Sequence, residues 1–373
     1  MKIAIEAQRI FRPNKHGMDF VALETIRCLQ RLDTKNEYFI FTGEGEDRCL
    51  EESPNMHITT LRCPSYPLWE QWALPRAVAR VKPDLLHCTS NTAPVWGNAP
   101  LILTLHDIIF LEQQAARNKS LYQSLGRVYR RLVVPRILPR CRMVITVSQF
   151  ECDRIRTALN FDPGRIMAIH NGYNDRFRPM GTAETVRKYL RDPEYLFFLG
   201  NTDPKKNTPG TLKAYAEYVR RSENPLPLLV ADLGEQPAEA ILREIGEPRL
   251  RGMLRLAGYI PNSDLPAIYN RASAFLYTSL RESFGIPQLE AMACGTPVVT
   301  SATSAIPEVA GEGAILVDPT DPKAIADALL RLETDAAFRA RQVAYGLERV
   351  KRFSWEKTAR HLLALYESLG KTN

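Results

Sequence analysis

The chain is poor in the features that staple small proteins or span membranes. Its seven cysteines, Cys28, Cys49, Cys63, Cys88, Cys141, Cys152 and Cys294, are an odd set with no C-x-x-C pair. That excludes a disulfide framework and a zinc ribbon, and it points to reduced thiols inside apolar stretches such as "LLHCTS" and "AMACG". No apolar run approaches the roughly 18–20 residues needed to cross a bilayer. The opening "MKIAIEAQRI" meets Glu6 too early for a signal peptide, so a cytosolic protein is expected. Neither G-x-G-x-x-G nor a Walker A sequence occurs, which speaks against hydride transfer and P-loop ATPase chemistry. No two aspartates are separated by a single residue, so a D-x-D metal–nucleotide site is absent. Low-complexity tracts and short-period repeats are also missing.

Acidic residues are absent from Gln113 to Phe150, a stretch that holds Arg117, Lys119, Arg127, Arg130, Arg131, Arg136, Arg140 and Arg142. Leu121, Tyr122, Leu125, Val128, Tyr129 and Leu132 are interleaved at helical spacing. Such a basic amphipathic helix can lie on an anionic membrane surface, and 117–142 is the candidate segment. An ordinary domain helix with a basic solvent face is the competing reading. The formal net charge of +7 adds weakly to the case for an anionic partner. Nothing in the sequence calls for nucleic acid.

What the chain does have is length and alternation. Its 373 residues suit two domains of roughly 150–200 residues. Near-continuous Val/Ile/Leu runs ("KIAIEA", "YFIFTG", "HITTL", "DLLHC", "LILTLHD", "MVITVS", "IMAIHNG") alternate with helical stretches at 18–32, 69–80, 121–138 and 149–159. A second series ("YLFFLG", "LPLLVA", "MLRLAGY", "AFLYT", "PVVT", "AILVD") alternates with 209–221, 238–246, 264–271 and 286–293. Strands buried on both faces and separated by helices predict an α/β protein with parallel sheets. The expected organisation is two doubly wound Rossmann-like domains, 1–178 and 179–354, followed by a last helix, 355–373, with Ser354 as its N-cap. Ligands of such sheets bind beyond the carboxyl ends of the strands, and interdomain clefts are favoured sites.

The unusual residues fall at those ends. In "FFLGNTDPKKNTPG", Gly200 allows a sharp turn, and Lys205 and Lys206 arrive just before a helix near Thr208, which makes an anion site suited to polyphosphate. In "RESFGIPQLEAMACG", Glu282, Ser283, Phe284 and Gly285 form a loop, Ile286 opens a helix with Pro287 in its first turn, and Gly295 stops it. The amides of Phe284, Gly285 and Ile286 suit an anion, and Glu290 suits vicinal hydroxyls. A dipole-stabilising Glu290 and a solvated Glu282 are the plainer alternative. "TLHDIIF" sets His106 and Asp107 after a strand, and Gly17 lies between the first strand and first helix, where backbone can approach a ligand.

With these residues in place, the sequence resembles the retaining glycosyltransferases of family 4, which have the GT-B fold. The resemblance runs from "AQRIFRPNKHG" through "TLHDIIFLE", "TVSQFECDRI", "IHNGYNDRFRP" and "LGNTDPKKN" to "FSWEKTARHLLALY". It is carried most specifically by Glu282, seven residues and Glu290 within "RESFGIPQLEAMACGTPVV". It implies a nucleoside-diphosphate sugar donor, GDP-mannose or a UDP-sugar, with no cofactor and no metal. It also implies a glycan or lipid-linked glycan acceptor in polysaccharide or lipopolysaccharide synthesis. By position, Glu290 is implied to hold the donor ribose and Glu282 the transferred sugar. Lys206, beside Lys205, is implied to hold phosphate, as are the amides of Phe284 and Gly285. His106 is implied near the reaction centre, and Gly17 in the loop over the diphosphate. Two departures stand out: Asn201 replaces an arginine common in relatives, and Ser283 replaces a glycine. The carboxylate pair also suggests a retaining glycosidase. That reading is set aside because Glu290 lies within a helix beside the anion site. A GT-B nucleotide-sugar epimerase and a non-catalytic nucleotide-sugar-binding protein are the remaining alternatives.

Overall fold

The computed structural model describes residues 1–13, 15–111, 121–181 and 183–370, without the side chains of 121–124 and 183. Arg117 and Lys119 of the acid-free stretch therefore lie outside the described residues, as do the side chains of Leu121 and Tyr122. Two compact units divide the chain. One is Met1–Gly172 together with the segment from Trp355, and the other is Tyr173–Ser354.

The first unit is built on seven strands: β1 (Lys2–Glu6), β2 (Glu37–Thr42), β3 (Met56–Thr60), β4 (Leu85–Cys88), β5 (Leu101–Thr104), β6 (Cys141–Thr146) and β7 (Ile166–Ala168). All pairs are parallel, in the order β3-β2-β1-β4-β5-β6-β7. The strand order reverses between β1 and β4, the place where such sheets open a crevice. The central strands are buried on both faces, which is why they read as unbroken apolar runs: Ile3, Ala4 and Leu103 have no exposed surface.

The second unit has β8 (Leu196–Leu199), β9 (Leu228–Ala231), β10 (Leu254–Gly258), β11 (Ala274–Tyr277), β12 (Val298–Ser301) and β13 (Ile315–Val317). They are again parallel, in the order β10-β9-β8-β11-β12-β13, with the switch between β8 and β11. Every strand expected from the apolar runs is present.

Several helical segments differ from the pattern reading. The stretch expected at 69–80 starts one turn earlier, at Tyr66–Leu68, and continues through a widened π-type turn, Trp69–Ala73, into Leu74–Val81. The extra residue in that turn brings both Trp69 and Glu70 inside. Helices Pro322–Thr334 and Ala336–Val350, which the pattern reading does not name, follow β13 and are capped by Asp321 and Asp335.

The last helix, Trp355–Gly370, packs in the first unit against the helix Gly17–Leu32. Tyr366 Oη lies 2.6 Å from His87 Nδ1, and Thr358 donates to the His170 carbonyl at 2.7 Å. The helix expected over the basic run is Leu121–Ile137. Leu125, Val128 and Leu132 stand outward on it, while Tyr129 turns in to meet Glu70 and Gln71. No helix among the described residues is long and apolar enough to cross a membrane. All seven cysteines are free thiols, five of them buried.

Candidate functional site

At the end of β8 the chain turns at Gly200, where a Cβ would come within 2.4 Å of the Phe198 ring. Asn201 organises the turn that follows: its Oδ1 accepts from the Asp203 amide at 2.9 Å, and its carbonyl accepts from Thr208 Oγ1 at 2.6 Å. A short 3-10 turn, Pro204–Lys206, is capped by Asp203. Asn207, at φ +56°, anchors the segment to the next loops by donating to the carbonyls of Thr278 (3.1 Å) and Pro319 (2.7 Å). The Lys205 carbonyl accepts from Leu280 N at 2.7 Å, so the lysine turn is tied to the loop after β11.

This scaffold presents Lys206 to Glu282. Lys206 Nζ donates to Glu282 Oε1 at 2.7 Å and lies 5.3 Å from the centre of the Tyr277 ring. The two side chains are only 19% and 14% exposed. Ser304 Oγ accepts from the Glu282 amide at 3.1 Å, which fixes the backbone. Burial pushes the Glu282 pKa up, but the charges of Lys206 and Lys205 and the bond from Lys206 outweigh it, so the net shift is downward and the carboxylate stays ionised. Lys205 is more exposed and sits 3.9 Å from Asp203. Asp232, which follows β9 in "VADLG", also interacts with Lys206. Asp232 was not singled out from the sequence, although its place directly after an apolar strand is a signal that could have found it.

Phe284 is buried against Phe353, with ring centres 5.8 Å apart. Gly285 adopts φ +96° and opens the helix Ile286–Ala293 without a capping side chain. A Cβ at Gly285 would meet Gln288 Nε2 at 2.8 Å and the Tyr277 ring at 3.2 Å. Ser283 stands between Glu282 and this helix start. Gly295 has φ +77° and closes the helix as expected. Glu290, one turn in, has its pKa pushed up to about 7 by burial, against the lowering influence of Arg176 and the neighbouring Tyr269 hydroxyl. Tyr269 is fully buried among Phe177, Phe197 and Phe275, with ring centres 5.1–5.9 Å away. The Tyr277 hydroxyl interacts with both Glu282 and Glu290, so one aromatic wall backs both carboxylates.

His106 and Gly17 belong to the first unit. Gly17 begins the first helix after His16, whose amide donates to Asp19 Oδ2 at 3.0 Å, and a Cβ on Gly17 would meet open space. His106 is 5% exposed. Its Nε2 lies 2.9 Å from the Thr89 carbonyl, so the proton sits on Nε2 and Nδ1 is the acceptor. Its amide donates to Asn91 Oδ1 at 2.6 Å. Burial lowers the His106 pKa, keeping the ring neutral, against smaller opposing effects of Thr89, Asp107 and Asp19. Glu6, Glu70 and Asn91, buried nearby in the first unit, were not singled out from the sequence, because an isolated polar residue carries no periodic signal.

Lys205, Lys206, Asn201, Glu282, Ser283, Phe284, Gly285, Ile286 and Glu290 thus gather at the switch point of the second sheet. His106 sits at the carboxyl end of β5, next to the switch point of the first.

Comparison with known proteins bears on the family and the fold. A model of "Glycosyl transferases group 1" matches residues 183–349, and a model of "Glycosyltransferase Family 4" matches 16–177. The chain is 32% identical over 236 residues to O-antigen chain mannosyltransferase B of Escherichia coli, covering 62% of each protein. It is 30% identical over 284 residues to the D-inositol 3-phosphate glycosyltransferase of Frankia alni, covering 73% of this chain and 69% of that one. The sucrose-phosphate synthase structure from Thermosynechococcus elongatus superposes with a TM-score of 0.76 at 22% identity, covering all of both chains, which establishes the shared GT-B fold. The chain belongs to the group 1 glycosyl transferases, of the family 4 type.

Proposed function

We propose that this chain transfers a hexosyl group, with retention, from a nucleoside-diphosphate sugar to a glycan acceptor in cell-surface polysaccharide or lipopolysaccharide synthesis. The observation that carries this reading is the Lys206–Glu282 pair at 2.7 Å, set at the switch point of the second sheet beside an uncapped helix start. A diphosphate departing from an anomeric carbon gains negative charge, and a held ammonium with aligned peptide dipoles opposes that charge without reorganising. Lys206, with Lys205 beside it, and the amides of Phe284, Gly285 and Ile286 are assigned to the diphosphate. Asn201 and Ser283 are assigned to the same donor pocket, Glu290 to the ribose hydroxyls, and Glu282 to the transferred sugar. From the first unit, His106 is assigned to the reacting sugar and Gly17 to the loop on the diphosphate side. In the step itself the anomeric C–O bond to the diphosphate breaks, and the acceptor oxygen bonds to that carbon on the same face. The acceptor proton passes to the leaving phosphate oxygen. No metal ion enters this account.

The O-antigen mannosyltransferase relative favours GDP-mannose over a UDP-sugar. A lipid-linked or lipopolysaccharide-type acceptor is favoured by the basic helix. Leu125, Val128 and Leu132 are 69%, 54% and 53% exposed on it, and Trp72 and Trp96 also stand in solvent. That composition fits a cytoplasmic protein held peripherally on the inner, anionic membrane face. The epimerase and binding-protein alternatives gain no support from relatives, which are named as transferases.

The test is a panel of nucleotide sugars in a thermal-shift assay, followed by transfer to a mannosylated acceptor and NMR of the new linkage. An upward shift with GDP-mannose and an α-linked product is expected. Conversion of donor without acceptor to an epimer would support the alternative.

A further inference from the structure

The helix Ile286–Ala293 starts on Gly285, which has no side chain to cap it. Three residues on stands Gln288. A glutamine at that place ordinarily reaches back with its oxygen and accepts the N–H of the capping residue, closing a capping box. Gln288 does not do so. Its Oε1 is buried with no hydrogen-bond partner among the described residues, and the residue has no exposed surface. Its Nε2 instead donates to the Phe284 carbonyl at 3.4 Å. Buried polar atoms are nearly always paired, so the unmet oxygen calls for a reason.

The reason lies in the peptide that Gln288 holds. The Phe284 carbonyl and the Gly285 N–H belong to one planar trans peptide, so they point in opposite directions. A donor bonded to the carbonyl from the buried side turns the Gly285 N–H away from Gln288. The glutamine oxygen then cannot reach that N–H, and it stays unmet. The same side chain fills the turn. Its Nε2 lies 2.8 Å from where a Cβ on residue 285 would stand, and the Tyr277 ring lies 3.2 Å from that point on another side. Lys206 Nζ lies 5.3 Å from the centre of that ring. Gln288, Gly285, Tyr277 and Lys206 are thus neighbours in one packed corner.

We propose that Gln288 is a positioning residue for the diphosphate: it fixes the Phe284–Gly285 peptide through the carbonyl and so leaves the Gly285 N–H to the departing phosphate. The proposal rests on the glycosyl-transfer reading above. A peptide dipole opposes developing charge best when it is held in place beforehand, and a released peptide must reorient during the reaction. Gln288 touches neither sugar nor phosphate in this account and acts only through the backbone it holds.

The experiment uses the full chain with GDP and guanosine, and with UDP and uridine in parallel, by calorimetry and saturation-transfer NMR. Gln288→Met keeps the length and loses the N–H, while Gln288→Asn keeps the amide and is one methylene too short. Each is expected to weaken the diphosphate roughly fivefold to tenfold, the loss of about one hydrogen bond, with nucleoside affinity unchanged. In transfer assays the donor KM should rise and kcat fall, with the acceptor KM unaltered. A merely structural role would shift nucleoside and diphosphate together. A second measurement needs no variant. Phe284–Gly285 is the only Phe-Gly pair in the sequence, so isotope labels in the Phe carbonyls and the Gly amides single out its peptide signal. That signal is expected to move downfield with diphosphate and to stay in place with nucleoside. Unaltered diphosphate affinity in both folded variants, an equal loss for nucleoside and diphosphate, or a peptide signal that bound diphosphate does not move would overturn the proposal. Failure of both diphosphates to bind the unsubstituted chain would instead strike the donor reading.

Discussion

Lys206 and Glu282, 76 residues apart in sequence, meet at 2.7 Å behind the Tyr277 ring. On the assignment proposed above, the carboxylate occupies the ammonium that the donor diphosphate needs. Glu282→Gln is therefore expected to tighten nucleoside-diphosphate binding severalfold while cutting transfer at least tenfold, since the sugar loses its contact. Calorimetry and single-turnover rates check the two arms. The lowered pKa of Glu282 also has a stability sign. The pair contributes above the ordinary carboxylate value of 4.5 and is lost as pH falls through the lower folded value, so acid unfolding of the Gln variant should be flatter there.

Glu290 behaves in the opposite sense. Its pKa is raised to about 7, so the folded protein holds a proton that the unfolded chain gives up near 4.5. Its contribution to stability is present below 4.5 and lost as pH rises through 7. On the proposed assignment, ribose hydroxyls donate to the ionised form. Donor affinity should fall by up to about tenfold per pH unit below 7, with proton release on binding near pH 6.5. Titrations in buffers of different ionisation enthalpy measure that release, and Glu290→Gln should abolish it.

Gly285 holds a conformation that side chains disfavour. Gly285→Ala should cost about 1–3 kcal/mol, because φ +96° is strained for alanine and the new methyl presses on Gln288 and Tyr277. A lower Tm together with weakened diphosphate binding is the expected pair of readouts.

Tyr366 and His87 pin the last helix to the first sheet. Burial lowers the His87 pKa to about 3, so the ring is neutral at working pH, and its Nδ1 and Nε2 are taken by Tyr366 and Thr104. Tyr366→Phe leaves one buried nitrogen unpaired and should cost about 1–3 kcal/mol, seen as a Tm lower by several degrees.

Both sheets were legible because strands covered on two faces must be continuously apolar: "LILT" and "LFFL" admit little else. The gathering of residues at the switch point of the second sheet was legible because turn residues and charges stand directly after those strands. The π-type turn at Trp69–Ala73 was not, since it exists to bury Glu70 among Tyr66, Gln71, Thr92 and Tyr129, partners spread over 64 residues of sequence numbering, from 66 to 129. The role of Asn201 as a turn organiser, and the raised pKa of Glu290, likewise depend on neighbours that only the tertiary structure supplies.

The most direct test of the account is the transfer rate of Lys206→Ala with saturating donor. A fall of about 10²–10³-fold with an unchanged circular dichroism spectrum is predicted, the usual loss when one transition-state donor is removed. Near-normal turnover would contradict the assignment of the departing diphosphate to this lysine.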